Sequence, residues 1–299
     1  MAGASKKGSK PRHLQVVRRL PALAQIVAGW RARRHTIALV PTMGALHAGH
    51  LALVRRAPRR ADRVIVSIFV NPAQFAPHED LKTYPRSFVA DVAELADLAT
   101  DLVWAPSIET MYPAGFATRI EPEGPAKAGL EDAFRPHFFA GVATVVAKLL
   151  IQCGPDIAVF GEKDYQQLKV VSQLVRDLGL KTRIIGAPTV REPDGLALSS
   201  RNAYLSPSER AAAPALHRAL ADCAKKIAAG EPIGTVLDEG RAVITQAGFA
   251  LDYLEARHGE TLAPLASFDR PLRLLAAARI GSTRLIDNVR VTPGGATAG

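Results

Sequence analysis

From residue 35 to 188 the chain alternates apolar runs with amphipathic segments, and that alternation restricts the fold more than any single motif. HTIALVP (35–41), RVIVSIFV (63–70), DLVWAP (101–106), DIAVFG (156–161) and TRIIGAP (182–188) read as strands. Helical periodicity begins near His50 and returns in DVAELADLA (91–99), GVATVVAKLLIQC (141–153) and YQQLKVVSQLVRDLGL (165–180). Strands that are apolar at successive positions must be covered on both faces, and strands joined by helices run parallel. The expected class is α/β, a parallel sheet with helices on both faces.

After about residue 190 the pattern changes. SPSE is a capping box, with Ser206 at the N-cap, Pro207 at N1 and Glu209 at N3. One alanine-rich helix is expected from there to about Ala229, and another around 234–247. FALDYLEARH (249–258), PLRLLAAARI (271–280) and TRLIDNVRV (283–291) read as antiparallel strands. The expected organisation is a disordered basic tail over 1–13, a larger domain over 14–189 and a smaller α+β C-terminal domain over 190–299, ending in a frayed GGATAG.

Composition narrows the function classes. A chain of 299 residues that is 48% hydrophobic has enough apolar side chains for a packed core. Its longest apolar runs, such as VATVVAKLLI, fall short of the roughly 18 residues that span a bilayer, so no membrane partner is expected. The tail lacks the apolar centre of a secretory signal, and only Cys153 and Cys223 occur, so a reducing cytoplasm is expected. The net charge of +10 includes Lys6, Lys7, Lys10 and Arg12 of the tail, and RRAPRR (55–60) reads as a solvated helix end. No nucleic-acid module accompanies this charge, and anionic small substrates account for it equally well.

Four polar segments follow apolar runs, where an open parallel sheet binds its ligands. PTMGALHAGH (41–50) places His47 and His50 at a strand-to-helix turn, with Gly44 and Gly49 permitting tight turns and the helix N-terminus suiting phosphate. Alone, the pair is equally readable as two ordinary partly buried histidines, or as a metal pair short of a third ligand. FVNPAQF (69–75) brings the amides of Asn71 and Gln74 to the same edge. FGEKDYQQL (160–168) supplies Lys163 for phosphate and Asp164 for ribose hydroxyls, with Gln167 one turn on. LALSSRNAYLS (196–206) offers Ser199, Ser200 and Arg201 at the expected domain junction. Neither a Walker loop nor a strand-following GxGxxG is present. Together the four segments suit a triphosphate, a sugar and a small polar acceptor.

The HAGH element resembles the HxGH signature of the class I aminoacyl-tRNA synthetase and nucleotidyltransferase superfamily. With SIFVNPAQF, YPR (84–86), GEKDYQQL, PTVREPDGLALSSRN and TRLIDN (283–288), the chain resembles the pantothenate synthetase (pantoate–β-alanine ligase) family from about residue 35 to 290. The resemblance implies a Rossmann-like nucleotidyltransferase domain with a hinged C-terminal cover, homodimers, and a magnesium-dependent reaction of ATP, (R)-pantoate and β-alanine through pantoyl adenylate. It implies catalytic roles for His47, His50, Lys163, Ser199, Ser200 and Arg201. ATP would be held by Pro41, Met43, His50, Gly161, Lys163, Asp164, Val190, Leu198, Ser199, Ser200 and Arg201. Pantoate would be held by Gln74 and Gln167, with Asn71 and Tyr84 as further candidates, and Asp91 would match a metal-associated position. Two departures stand out. Ala90 replaces an acidic neighbour of Asp91, and in RPHFFAGV (135–142) His137 comes one place early, leaving Phe138 in the usual histidine position. Leu198 stands where methionine is also common. A different nucleotidyltransferase on the same scaffold would not need the paired VNPxQF and GEKDxQQ motifs, and a tRNA synthetase would need an anticodon-binding region.

Overall fold

The computed structural model describes residues 14–77, 79–265 and 270–291. The expected basic tail and the GGATAG terminus lie outside these residues.

The first layer of structure is a six-stranded parallel sheet ordered β1-β4-β3-β2-β5-β6. Its strands are β1 (Gln15–Val17), β2 (Ile37–Thr42), β3 (Arg63–Ile68), β4 (Leu102–Trp104), β5 (Ile157–Gly161) and β6 (Arg183–Ala187). The connecting helices are α1 (Leu20–Ala32), α2 (Ala48–Arg56), α3 (Phe88–Ala96), the single turns α4 (Ile108–Met111) and α5 (Glu131–Phe134), α6 (Phe138–Cys153) and α7 (Tyr165–Asp177). Strand pleating sends alternate residues to opposite faces. Ile37 and Leu39 of β2 join one core with Leu23, Val142, Val146 and Leu150, while Ala38 and Val40 join another with Leu53, Val54 and Leu95. This double burial explains the unbroken apolar runs in the sequence.

β1 and α1 were not anticipated from the sequence. Thr182 and the residues near it lead into β6 at the opposite edge, and β1 pairs only with β4.

The C-terminal part carries α8 (Pro207–Ala212), α9 (Ala215–Ala228) and α10 (Ile233–Gln246) against an antiparallel sheet of β7 (Ala250–His258), β8 (Leu272–Ile280) and β9 (Thr283–Val291), ordered β7-β8-β9. The Ser206–Glu209 capping box is present in full. The single long helix expected after it is instead two, because Pro214 sits between α8 and α9 and has no N–H to continue the ladder. Leu216, Leu220, Cys223 and Ile227 of α9 pack with Leu254, Leu274 and Ala276 of the sheet. Both cysteines are buried and free. Among the described residues no helix is long and apolar enough to cross a membrane.

β2 and β5 are neighbours whose following helices lead to opposite sides of the sheet, toward β3 and β6. Their carboxyl ends form the crevice in which open α/β sheets bind ligands.

Candidate active site

A cleft of about 890 Å³ opens at these strand ends and is closed on its far side by the 189–204 loop and by β8 and β9. His47 and His50 reach it from the β2–α2 turn. Gly44 makes the tight turn, at φ +83°. His47 caps α2, its Nδ1 accepting from the Gly49 N–H at 3.1 Å. That acceptor role assigns its proton to Nε2. A Cβ on residue 49 would lie 2.8 Å from the His47 ring, so the glycine between the histidines is what lets that ring fold over the helix start. The two rings stack with centroids 4.1 Å apart.

Burial, reinforced by the Lys163 charge, lowers His47 to about 4, against a weaker opposing effect of Asp164. Burial, the neighbouring His47 and Lys163 lower His50 to about 3. Both are neutral donors near neutral pH, so the positive charge facing the cleft comes from Lys163, Arg201 and the α2 N-terminus rather than from imidazolium.

Lys163 and Asp164 follow β5 in a turn whose carbonyls are gripped from the other side of the cleft. Asn288 Nδ2 of β9 donates to the carbonyls of Glu162 and Lys163, each at 2.9 Å, and Arg273 pairs with Glu162 at 3.0 Å. This gives the TRLIDN run a structural task. Asp287 accepts two hydrogen bonds from Arg191, at 2.7 and 2.9 Å, which ties β9 to the hairpin carrying Val190 and Leu198. Ser199 Oγ accepts from the Arg201 N–H within its own turn, and Ser200 Oγ donates to the carbonyl of Ala45, so Ser200 ties this loop to the HxGH loop. Arg201 is held by Asp80 in a two-point ion pair.

Pro41, Met43, Gln74, Tyr84, Gly161, Gln167, Val190 and Leu198 all line the same cleft. Asn71 also borders it but is 1% exposed, and its four hydrogen-bonding positions are all used by protein partners. Its Nδ2 donates to Gln74 Oε1 at 3.0 Å.

Asp91, matched by the resemblance to a metal-associated position, has protein partners. It is buried away from the cleft lining, and its carboxylate accepts from the N–H groups of Ala45 and Leu46 and from the Ser87 hydroxyl. It clamps the HxGH loop, and those bonds compete with metal ligation. Among the described residues no group of three His, Cys, Asp or Glu side chains is arranged to hold a metal ion.

His137 is exposed, while Phe138 faces the cleft and lies under the Arg135 guanidinium at 3.8 Å. Arg135 is fixed by two 2.7 Å bonds to Glu79 and one to the Gln74 carbonyl. Sequence reasoning missed Glu79, Asp80 and Arg135. The one available signal was the arginine preceding the displaced histidine.

The geometry is that of a nucleotide cleft with amides beside it, and comparisons with known proteins agree. The sequence model of the pantoate-beta-alanine ligase family matches residues 15–290. The pantothenate synthetase of Nitrobacter hamburgensis is 63% identical over 94% of this chain and all of its own length. That of Rhodopseudomonas palustris is 61% identical over 92% of this chain and 98% of its own. The crystal structure of pantothenate synthetase from Thermus thermophilus superposes with a TM-score of 0.88 at 48% identity, covering 93% of this chain and 100% of that one. A Francisella tularensis pantoate-beta-alanine ligase, crystallised with beta-gamma ATP and beta-alanine, superposes at 0.78 with 36% identity, covering 93% and 97%. The chain belongs to the pantoate–β-alanine ligase family.

Proposed function

We propose that this chain condenses (R)-pantoate with β-alanine at the expense of ATP, through a pantoyl adenylate, releasing AMP, pyrophosphate and pantothenate. The observation that carries the reading is convergence: His47, His50 and Lys163 at adjacent strand ends meet Ser199, Ser200 and Arg201 across one cleft that also contains Gln74 and Gln167.

A carboxylate resists attack by an amine until one oxygen becomes part of a leaving group. The chemistry needs no side-chain nucleophile. Alignment and charge neutralisation suffice. In this reading the His47 Nε2–H, the Lys163 ammonium and the α2 N-terminus draw charge from the α-phosphate as the pantoate carboxylate attacks it. Ser199, Ser200 and Arg201 hold the outer phosphates. Asp164 and the Gly161 backbone take the ribose, among Pro41, Met43, Val190 and Leu198. Gln74 and Gln167 hold pantoate. The β-alanine amine then attacks the acyl carbon and AMP departs. The mixed anhydride hydrolyses in open water, which gives residues 190–299 a role as a closing cover.

For magnesium, the cleft lining fits an ion carried mainly on the nucleotide phosphates and water, and not a cage built by the protein. Such an ion would offset phosphate charge. From the family we infer homodimeric assembly. We also infer a cytoplasmic location, with which the free, buried cysteines agree.

The test is pyrophosphate release with ATP, magnesium, (R)-pantoate and β-alanine, each omitted in turn. AMP and pantothenate forming only with both substrates supports the reading. A folded protein that binds ATP without turnover rejects it.

A further inference from the structure

Carboxamide oxygen and nitrogen have the same shape, so the direction of a Gln or Asn side chain must be settled by its partners. Beside the substrate end of the cleft, partners with fixed roles settle it. The Ala73 N–H can only donate, and it meets Asn71 Oδ1 at 3.3 Å. The Gly141 carbonyl can only accept, and it meets Asn71 Nδ2 at 3.2 Å. Asn71 is therefore oriented by two backbone groups. Tyr112 must then be a donor, and its hydroxyl meets Asn71 Oδ1 at 2.7 Å. The remaining Asn71 N–H points at Gln74, at 3.0 Å, so the Gln74 atom it meets must be Oε1. What remains of Gln74 is its NH₂ group, which meets the Met43 sulfur, a weak acceptor, at 3.5 Å.

We propose that Tyr112, which lies outside the cleft lining, is a positioning residue that acts through Asn71 to hold Gln74 with only its N–H donors facing the substrate, so that this point of the cleft selects an oxygen acceptor. The proposal rests on Gln74 being a pantoate contact.

Four further observations support it. α6 packs so closely on the Asn71–Gln74 turn that a Cβ at residue 141 would lie 2.3 Å from the Ala73 carbonyl, and this brings the Gly141 carbonyl to Asn71. The Tyr112 ring is anchored independently, against Phe69 at 6.2 Å and edge-on to Phe116 at 5.2 Å. Its hydroxyl stays protonated, since burial pushes the phenol up to about 12. The tyrosine bond is also the shortest of the four to Asn71. Without it, Asn71 Oδ1 keeps a single longer bond from a turn, and the restraint that Asn71 places on the Gln74 amide weakens.

The test compares Tyr112→Phe, Gln74→Ala, Gln74→Glu and the Tyr112→Phe/Gln74→Ala double variant in steady-state kinetics, with melting temperature as a folding control. Tyr112→Phe keeps the ring and its packing. It is expected to raise the KM for pantoate by about threefold to tenfold, within what one lost hydrogen bond produces, and to leave the KM for ATP within about twofold. The double variant should match Gln74→Ala alone. Gln74→Glu can still accept from Asn71 but presents an oxygen to the substrate, so it should bind pantoate more weakly than Gln74→Ala. An unchanged pantoate KM in folded Tyr112→Phe, or a rise shared equally by ATP, overturns the positioning role. Gln74→Glu binding pantoate as well as Gln74→Ala overturns the donor assignment. An unchanged pantoate KM in Gln74→Ala removes the underlying reading of Gln74 and the proposal with it.

Discussion

Arg201 and Asp80 face each other at the cleft rim in a two-point ion pair, Nε to Oδ2 at 2.9 Å and Nη2 to Oδ1 at 2.8 Å. A guanidinium has five N–H donors and this pair uses two, so the carboxylate can aim Arg201 while leaving donors for phosphate. Asp80→Ala is therefore expected to raise the KM for ATP about tenfold, the effect of roughly 1.4 kcal/mol, with a smaller change in the KM for pantoate. Asp80→Asn, which keeps one acceptor, should fall between. A lower KM for ATP in either variant would mean that Asp80 competes with the phosphates.

His50 has a buried Nδ1 without a hydrogen-bond partner among the described residues, although it sits against His47 on a well-formed helix. A polar atom left in this state at a cleft wall is suited to a ligand or to the transition state. His50→Ala is expected to lower kcat by about a hundredfold to a thousandfold, the range for removing one preorganised donor, while circular dichroism stays unchanged. Wild-type turnover from the folded variant would remove His50 from the mechanism.

The parts of the fold readable from sequence are those whose pattern is local. β2, β3 and β5 are buried on both faces, so they appear as uninterrupted apolar runs. β1 has three residues of which two are exposed, and α1 has Arg19 at its N-cap, with no side-chain cap bond and no early acidic residue, so neither announces itself strongly. The site divides in the same way. His47, Gln74, Lys163 and Ser199 follow strands or occupy a hairpin loop, where position alone suggests a role. Asp80 and Arg201 are 121 residues apart, and Glu131 and Arg284 are 153 apart, so no spacing rule connects them. The partners of Asp91 were hidden for a related reason. The resemblance matched Asp91 to a metal-associated position, while the groups it meets are two backbone N–H groups, which carry no sequence signature, and the Ser87 hydroxyl.

Glu131 joins the two parts of the molecule. Its carboxylate accepts from Arg284 at 2.8 Å and from the Tyr253 hydroxyl at 3.0 Å, and its side chain is 8% exposed. Asp252 holds the same arginine on its other edge. Glu131→Ala takes one of the two carboxylate partners from Arg284 and leaves Tyr253 without its acceptor. It is expected to destabilise the protein by about 3 kcal/mol, at the low end for breaking a buried pair because Asp252 remains. Urea unfolding measures this, and a change below about 1 kcal/mol would mark the pair as a solvated one.

Gly49→Ala separates the geometry of the HxGH turn from its chemistry. The added Cβ would meet His47 Cε1 at 2.8 Å and Nδ1 at 2.9 Å, so the ring must leave its place over the helix start and give up its bond to residue 49. Alanine favours the helix that follows, and the lost N-cap bond offsets that gain. Stability is expected to change by less than about 1 kcal/mol while kcat falls at least tenfold. Full activity would show that the His47 ring position is not required.

The depressed histidines also set a pH dependence for stability. In the unfolded chain they titrate near 6.5, whereas in the folded site burial and Lys163 bring His47 to about 4 and burial, His47 and Lys163 bring His50 to about 3. Above 6.5 neither state binds these protons, and the pair contributes no slope. From 6.5 down to about 4 the unfolded chain takes up protons that the folded site refuses, so stability falls as the pH falls. Carboxylates shared by wild type and variant titrate at the lower end of this window, so the comparison must be with a variant lacking the imidazoles. Between about pH 7.5 and about pH 5, the wild-type melting temperature is expected to fall more steeply than that of His47→Gln/His50→Gln. Parallel slopes would mean that the two histidines titrate near their ordinary value and enter the cleft charged at mildly acidic pH, contrary to the neutral-donor assignment.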